Sequence, residues 1–475
     1  MNLRNFLMCF ALGAGAATAN ELPDLGDASQ STLSVAQERR LGESIMRQIR
    51  SSRAYLDDPE VTDYLNRVGL ALVSAGPDPG GQIEFFAVDE NSVNAFALPG
   101  GFIGVHSGLL LTAQSESELA SVLGHEIAHV TQRHIARMLA AQQRSGLASM
   151  AALAVAILAA RSNAQLSQAA IATAQASAIQ TQLNYSRDHE READRIGLQI
   201  VAASGFDAHA MPVFLERLQR SSRLYEGGAP SYLRTHPLTF ERVADVQNRT
   251  QSMPFRQVPD SAAFHLVRAR LLVLQGIPRD AVDSFSAMLK DKKYAHEGAA
   301  RYGLALALLR SGNIAQATTE LPRLEATART DPMVMALAAR INIERGAVVQ
   351  GLETYRLALA ANPGRRALVY GYASALLDLG QPQEAAEFLT QSLDKSSPDP
   401  KLYELQAKAY AALGHRTLRH RAQAEAYLLR GSVSAAIEQL QLARAAGEGD
   451  FYLQSAVEAR LKELMEIDAE SRRRE

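Results

Sequence analysis

The chain contains no tryptophan and a single cysteine among its 475 residues, and its charges nearly cancel. One cysteine cannot form a disulfide within the chain, so the fold must be stabilised by its core or by a metal. A formal net charge of −2 provides no global field to attract nucleic acid, and we expect no nucleic-acid partner. With 47% apolar and 21% charged residues, the composition is that of a globular protein long enough for two or three domains.

The N-terminus has the pattern of a cleavable signal peptide at residues 1–19. Arg4 supplies a positive charge, residues 6–17 form an apolar run, and small residues precede a cleavage point after Ala19. The run is shorter than the about 20 residues that span a bilayer. Cys9 lies before the cleavage point, so the mature chain would have no thiol. A merely apolar N-terminus is the alternative; with a bacterial-type signal, the expected destination is the periplasm.

A second apolar run, residues 146–160, is rich in alanine and lies between two arginines. It is too short and too weakly hydrophobic to predict a membrane span. A buried helix or a lid over a cleft is the preferred interpretation, and a contact with a membrane surface stays open.

The first half of the chain predicts helices around a small β-sheet. Residues 82–88 are rich in aromatic and β-branched types, which favours a strand. Residues 95–98 and 102–105 flank Pro-Gly-Gly and predict a hairpin, because glycines adopt the positive φ angles of a tight turn. Ser115 and Glu118 predict a capping box at the start of a long helix, with the carboxylate of Glu118 reaching back to the N-cap.

Beyond residue 260 the chain is repetitive. Glycines recur at intervals of 36, 34, 34 and 34 residues, at Gly276, Gly312, Gly346, Gly380 and Gly414. Small residues follow four of them five positions later, at Ala281, Ala317, Gly351 and Ala385. This period resembles tetratricopeptide repeats, in which each helix pair buries its face against the next pair. Gly431 departs from the interval, and residues 451–467 are expected to form a capping helix. A generic helical bundle is the alternative.

The motif His-Glu-Ile-Ala-His at residues 125–129 carries the main chemical signal. On a helix, residues four apart lie on one face, so the imidazoles of His125 and His129 can bind one tetrahedral ion. Glu126 is next to them and can take a proton from water on a bound Zn²⁺ at neutral pH. A helix with two surface histidines is the alternative, but the apolar residues around the motif place it in a core.

A catalytic zinc keeps three protein ligands, and the third can be a glutamate on a later helix. Glu190 and Asp194 lie at i and i+4 on one face. Glu190 can therefore bind zinc while Asp194 accepts the far N–H of a ligand histidine, expected to be His125. Glu192 points off that face and is the weaker candidate. A solvated charged helix face is the alternative.

A histidine as third ligand, in the spacing of the metzincins, is excluded because Ile135 stands six residues after His129. His134 is adjacent to that position, and we expect it to be only a polar residue on the same helix. A glutamate therefore remains the preferred third ligand.

Three segments together resemble one known family. They are Asn-Ala-Phe-Ala-Leu-Pro-Gly-Gly at residues 94–101, the motif at 125–129, and Ser-Arg-Asp-His-Glu-Arg-Glu-Ala-Asp at 186–194. The combination is similar to the gluzincin family of the HtpX heat-shock protease and the CAAX prenyl protease over residues 35–250. Those relatives span membranes several times. With its signal peptide and repeats, this chain is most similar to a periplasmic branch of the family.

The resemblance implies a mostly α-helical fold with a small β-sheet. A zincin-like metallopeptidase domain is expected at residues 20–255, followed by an α-solenoid of tetratricopeptide repeats at 260–475. The implied activity is that of a zinc metalloendopeptidase with one Zn²⁺ per chain. Its metal ligands would be His125, His129 and Glu190, and Glu126 would be catalytic.

The resemblance also directs attention to His236, which lies on a predicted loop. Two roles follow: the imidazole could occupy the fourth metal position and keep the enzyme latent, or swing aside and donate to the oxyanion of the transition state. Arg242 is expected to anchor that loop. A loop histidine without metal contact is the alternative.

Under this resemblance the hairpin has a role as well, because a substrate can add to it as an extended strand. The residues of this substrate strand are Asn94, Phe96, Ala97, Leu98, Gly100 and Gly101. The mode favours extended or unfolded polypeptide. The resemblance implies outer-membrane β-barrel proteins and their assembly machinery as partners, and a function in promoting assembly and degrading misassembled barrels. A peripheral contact with the outer membrane stays open.

Two other functions compete with this one. The chain could act as a chaperone or scaffold through its repeats, with a mostly latent zinc site. It could also be a membrane-embedded protease, if residues 146–160 spanned a bilayer.

Overall fold

A computed structural model describes residues 33–77, 81–141, 187–224, 231–395 and 399–474. The expected signal peptide and the apolar run at residues 146–160 lie outside the described residues. Within the described ranges, no helix is both long and apolar enough to cross a membrane.

The described residues before position 255 form nine helices and three strands. Their order is α1 (Val35–Ser51), α2 (Pro59–Ser74), β1 (Glu84–Val88), β2 (Ala95–Leu98), β3 (Phe102–His106), α3 (Ser107–Thr112), α4 (Glu116–Thr131), α5 (His134–Ala141), α6 (Arg187–Ala203), α7 (Ala210–Leu224), α8 (Ser231–Thr235) and α9 (Phe240–Gln251).

The three strands form one sheet in the order β1-β3-β2, which leaves β2 at an edge. Strand β2 pairs antiparallel with β3, with Leu98 opposite Phe102, so the predicted hairpin is confirmed. Gly100 and Gly101 in its turn have φ angles of 75° and 86°, in the region that favours glycine. A Cβ on Gly101 would also lie 2.3 Å from the backbone oxygen of Gln82. The turn therefore requires glycine for both its angles and its close packing.

Helix α4 is buried along most of its length, and Leu119, Leu123 and Ile127 are fully inaccessible to solvent. Its N-cap is Ser115, whose hydroxyl accepts from the backbone N–H of Glu118, as predicted. The predicted reciprocal half of the capping box is wrong. The Glu118 carboxylate accepts from the backbone N–H of Gln114 at 2.7 Å and pairs with Arg217 at 2.6 Å. The Glu118 carboxylate therefore pairs with Arg217 on α7 and does not bond the backbone N–H of the N-cap residue Ser115.

In the described residues after position 255, twelve further helices follow as six consecutive pairs. They are α10 (Ala262–Gln275), α11 (Pro278–Lys290), α12 (Glu297–Arg310), α13 (Ile314–Ala328), α14 (Pro332–Glu344), α15 (Val348–Ala361), α16 (Arg366–Asp378), α17 (Pro382–Lys395), α18 (Pro400–Ala412), α19 (Arg416–Leu429), α20 (Val433–Ala446) and α21 (Phe451–Arg474). The predicted class, a small sheet among helices followed by a helical solenoid, is confirmed. The capping helix α21 extends beyond the predicted residues 451–467.

The five periodic glycines lie in the turns inside the first five helix pairs. Four of them have φ angles between 70° and 90°: Gly312, Gly346, Gly380 and Gly414. Gly276 ends α10 with a φ angle of −99°, so it does not share that conformation. Gly431 lies between two pairs rather than inside one, which explains its departure from the interval. The residue five positions after the glycine is small because two helices touch there. Ala317 and Ala385, which occupy this position, are fully buried.

Helix α2 is one of the elements through which the repeats contact the first part of the chain. Arg270 on α10 donates to both carboxylate oxygens of Asp58 at 2.7–2.9 Å. The same carboxylate caps α2 by accepting from the backbone N–H of Glu60 at 3.1 Å. Further along, Asp63 accepts from the backbone N–H of Arg366 at the start of α16. The N-terminal part of α2 and its N-cap are therefore fixed to two separate repeats.

Candidate functional site

The predicted metal ligands come together at the crossing of α4 and α6. His125 and His129 lie one turn apart on α4, and Glu190 projects from α6 between them. His236 directly follows α8 and joins the same group. None of these four side chains is more than 1% exposed. The grouping of the two histidines with Glu190 is the arrangement that the sequence predicted.

The spacing of the ligand atoms fits a tetrahedral ion. Zinc–ligand distances of about 2.0–2.1 Å place the corners of a tetrahedron about 3.3 Å apart. His125 Nε2 lies 3.0 Å from His129 Nε2 and 3.3 Å from His236 Nδ1. Glu190 Oε1 lies 3.2 Å from His236 Nδ1 and 3.5 Å from His129 Nε2. Glu190 Oε2 is 3.6 Å from His125 Nε2. The four residues therefore present four corners of suitable size for zinc.

Asp194 fixes the orientation of the first histidine. Its Oδ1 lies 2.9 Å from His125 Nδ1, the nitrogen that faces away from the metal position. Burial would lower the pKa of His125, but the carboxylates of Asp194 and Glu190 outweigh it and raise the pKa to about 10. The predicted role of Asp194 as the acceptor behind His125 matches this contact.

Arg242 on α9 pairs with both buried carboxylates of α6. It donates from Nε and Nη2 to Asp194 at 2.7 and 2.8 Å, and its Nη1 lies 2.6 Å from Glu190 Oε2. Burial would raise the pKa of Asp194, yet Arg242 and His125 hold it below its usual range. Nη1 also donates to the backbone oxygen of Pro237. Arg242 therefore anchors the loop of His236, as the sequence suggested.

Glu126 faces the same centre from α4. Its carboxylate is fully buried, and His236 Nε2 lies 3.3 Å from its Oε1. Burial raises the pKa of Glu126 above its usual range, and the imidazoles of His236 and His125 offset this in part. The backbone amide of Ala97, on edge strand β2, also faces the carboxylate and lowers its pKa. A buried acid beside the metal position and the sheet edge is suitably placed for proton transfer.

The short helix α8 holds His236 against the centre. Tyr232 lies one turn before His236, and the centroids of their rings are 4.7 Å apart. The backbone N–H of Tyr232 donates to the backbone oxygen of Val93, just before β2. Thr235 donates to the side chain of Asn94. The loop of His236 is therefore fixed at the beginning of the predicted substrate strand.

The predicted substrate strand lies beside the motif. Phe96 and Leu98 pack with α1 on one side of the sheet, while Ala97 belongs to the main core. The backbone oxygen of Gly100 accepts from Arg39 of α1 at 2.8 Å, and this contact fixes the turn. Among the described residues only β3 pairs with β2, so the other side of β2 is an unpaired strand edge, and the backbone amide of Ala97 on this strand lies near the Glu126 carboxylate.

His134 is the residue whose place the sequence did not predict. It is fully buried, and its Nδ1 lies 2.8 Å from Nδ1 of His129, one of the predicted ligands. Its Nε2 lies 3.2 Å from Glu192 Oε2. The expectation of a merely polar residue on the motif helix is wrong, because the helix ends first. Glu192, set aside as a ligand, does not join the four metal-facing residues.

Comparison with known proteins identifies both parts of the chain. Residues 59–250 match the model of peptidase family M48, and residues 294–428 match that of a tetratricopeptide repeat. The chain is 35% identical over 460 residues to the beta-barrel assembly-enhancing protease of Escherichia coli (strain K12), covering 96% of this chain and 93% of that protein.

Two other relatives support the same assignment. The beta-barrel assembly-enhancing protease of Yersinia pestis is 31% identical over 481 residues, which cover 99% of this chain and 98% of that protein. The mitochondrial metalloendopeptidase OMA1 of Arabidopsis thaliana is 31% identical over 215 residues, which cover 45% of this chain and 41% of that protein. The expected enzyme class is confirmed: the chain is a metalloendopeptidase of peptidase family M48 and belongs, within it, to the beta-barrel assembly-enhancing proteases.

Proposed function

We propose that the chain is a periplasmic zinc endopeptidase that promotes assembly of outer-membrane β-barrel proteins and degrades those that misassemble. The observation that supports this most directly is the set of four buried ligand atoms at tetrahedral spacing, with Glu126 beside them. A purely structural metal site has no use for such a carboxylate.

His125, His129 and Glu190 are the proposed ligands of one Zn²⁺ per chain. When bound, zinc would polarise a substrate carbonyl and lower the pKa of the attacking water. Glu126 takes the proton of that water and passes it to the leaving amine. The raised pKa of Glu126 suits both steps, since the same group must accept and then release a proton.

His236 is proposed to hold the site latent. Its Nδ1 stands at the fourth corner, 3.3 Å from His125 Nε2, where water and substrate would have to enter. Movement of the α8 loop would free that corner. In the open state, the same imidazole could donate a hydrogen bond to the oxyanion of the transition state.

The free edge of β2 is proposed to bind substrate as an added strand. Backbone groups of Ala97 are close to Glu126, so a peptide paired along this edge would present its carbonyl to the centre. Only extended or unfolded polypeptide can pair in this way. A β-barrel that has not closed exposes such strands, and this agrees with the name of the relatives from Escherichia coli and Yersinia pestis.

The proposal is tested by measuring the zinc content of the full-length chain and its digestion of casein, with and without a chelator. We expect one zinc per chain, and cleavage that is lost with chelator and restored by zinc. Glu126→Gln should retain zinc and lose cleavage by at least about 100-fold, the contribution of a general base. Zinc-free protein, or a Glu126→Gln variant that cleaves normally, would overturn the proposal.

A chaperone or scaffold with a latent zinc site is the second candidate. The placement of His236 at the fourth metal corner favours it, because a closed site cannot turn over substrate. The Glu126→Gln variant separates the two functions in cells that lack the native chain. A scaffold would restore barrel assembly with this variant, whereas removal of misassembled barrels requires the carboxylate.

A further inference from the structure

Helix α4 stops abruptly just after the second ligand histidine. It ends at Thr131, and Arg133 adopts a φ angle of 51°, which is uncommon for a residue with a side chain. Arg133 is held there by Glu38 at 3.2 Å and by the backbone oxygen of Leu33. A backbone in this region is retained when the surrounding structure compensates for its cost, and such residues cluster at functional sites.

The break changes which side chain can reach the ligand. In a continuous helix, a residue five positions after His129 would be rotated by about 140° from it. The turn at Arg133 instead starts α5 at His134 and places its ring behind His129. The two Nδ1 atoms are 2.8 Å apart, and the ring centroids are 4.8 Å apart.

The proton positions in this contact follow from the metal site. His129 directs Nε2 to the metal position, so its Nδ1 carries the proton and donates to His134 Nδ1. His134 then carries its own proton on Nε2 and donates it to Glu192 Oε2 at 3.2 Å. Arg137 donates to the same carboxylate oxygen at 2.9 Å. Every donor in this chain of contacts meets an acceptor.

We propose that His134 is a positioning residue that holds the ring of His129 in the orientation and tautomer required for zinc, with Glu192 supporting it from behind. This inference rests on the proposed zinc site. The two ligand histidines would then be held differently: His125 by the carboxylate of Asp194, and His129 by a neutral imidazole. Groups that fix a ligand histidine are worth 10–100-fold in metal affinity.

The test compares two substitutions of similar size at position 134. In His134→Asn, the amide oxygen can replace Nδ1 as the acceptor, whereas His134→Leu fills the same space without one. Both are made in the full-length chain that carries Glu126→Gln, which prevents self-cleavage, and Zn²⁺ affinity is measured by competition with a coloured chelator. His209→Leu, at a partly exposed histidine outside the centre, is the matched control.

We expect His134→Leu to lower zinc affinity by about 10–100-fold, and His134→Asn to stay within a few-fold of the unsubstituted chain. The absorption spectrum of the Co²⁺ form should shift in the Leu variant alone. If the Leu variant binds Zn²⁺ as tightly as the histidine, or the Asn variant loses as much affinity as the Leu variant, the positioning role is wrong. If the unsubstituted chain binds no Zn²⁺, the proposed function fails as well.

Discussion

Gly124 and Gly197 face each other where α4 and α6 cross. A Cβ on Gly124 would lie 3.1 Å from the backbone oxygen of Gly197, and a Cβ on Gly197 would lie 2.9 Å from the backbone nitrogen of His125. The helices that carry the proposed metal ligands therefore approach backbone to backbone. Because the two helices lie so close together, the carboxylate of Glu190 can reach both imidazoles of α4.

Replacement of Gly197 by alanine should separate the two helices. Because the added methyl meets backbone rather than a flexible side chain, we expect a loss of stability of about 1–3 kcal/mol, as in other overpacked cores. Zinc affinity should fall too, since Glu190 moves with the helix. Thermal unfolding and chelator competition measure the two effects. Gly81→Ala is the control, because a Cβ there meets nothing within 4 Å; equal behaviour of the two variants would contradict the argument.

Replacement of Arg242 by glutamine should destabilise the metal-free chain. The substitution leaves the carboxylates of Asp194 and Glu190 buried without their cation, and breaking a buried pair in this way costs about 3–5 kcal/mol. The thermal midpoint of the metal-free protein reports this loss, and added zinc should recover part of it. Arg191→Gln is the matched control, since its half-exposed side chain lies 3.7 Å from Asp188. An unchanged midpoint in Arg242→Gln would refute the role.

The parts of the site that the sequence predicted depend on local helix geometry. The i, i+4 spacing places His125 and His129 on one face, and the same rule places Asp194 one turn after Glu190. The hairpin around Gly100 is likewise a local property, because its turn requires positive φ angles. Such features can be predicted from the sequence because they depend only on residues that are close together in the chain.

The features that the sequence predicted wrongly or left open depend on contacts between segments that are distant in the sequence. His134 reaches His129 only because Glu38, far away in the sequence, holds the turn at Arg133. Glu118 leaves its predicted cap because Arg217 approaches from another helix. A single sequence does not show that either pair of segments meets. The one available signal was a histidine five residues after the motif, which could have been examined as a support for His129.

Replacement of His236 by alanine should activate the enzyme if the latch is its main role. The variant removes Nδ1 from the fourth corner and leaves His125, His129 and Glu190 in place. We expect faster cleavage of casein with retained zinc, while His209→Ala, outside the centre, should cleave like the parent chain. Zinc retained together with a loss in kcat would instead assign His236 to the oxyanion. Unchanged cleavage would exclude both roles.

The stability of the folded chain should depend on pH through Glu60, which lies where the repeats contact the peptidase domain. This side chain lies at the start of α2, is 6% exposed and is close to Arg270. Burial raises the pKa of Glu60 to about 7, and the attraction of Arg270 offsets this only in part. The folded chain therefore favours the protonated acid more than the unfolded chain does.

The sign of the pH effect follows from that difference. Below the unfolded pKa of 4.5, both states are protonated and the contribution of Glu60 to stability is complete. As pH rises from there through about 7, the unfolded chain releases the proton first, and stability falls by about 3 kcal/mol in total.

Glu60→Gln cannot ionise, so its thermal midpoint should exceed that of the parent chain at pH 8 and approach it at pH 5. Glu353→Gln, at a side chain that is 57% exposed, should follow the parent chain at both values. If Glu60→Gln and the parent chain differ equally at pH 5 and pH 8, Glu60 is not the titrating group, because a neutral amide and a carboxylic acid differ mainly once the acid ionises.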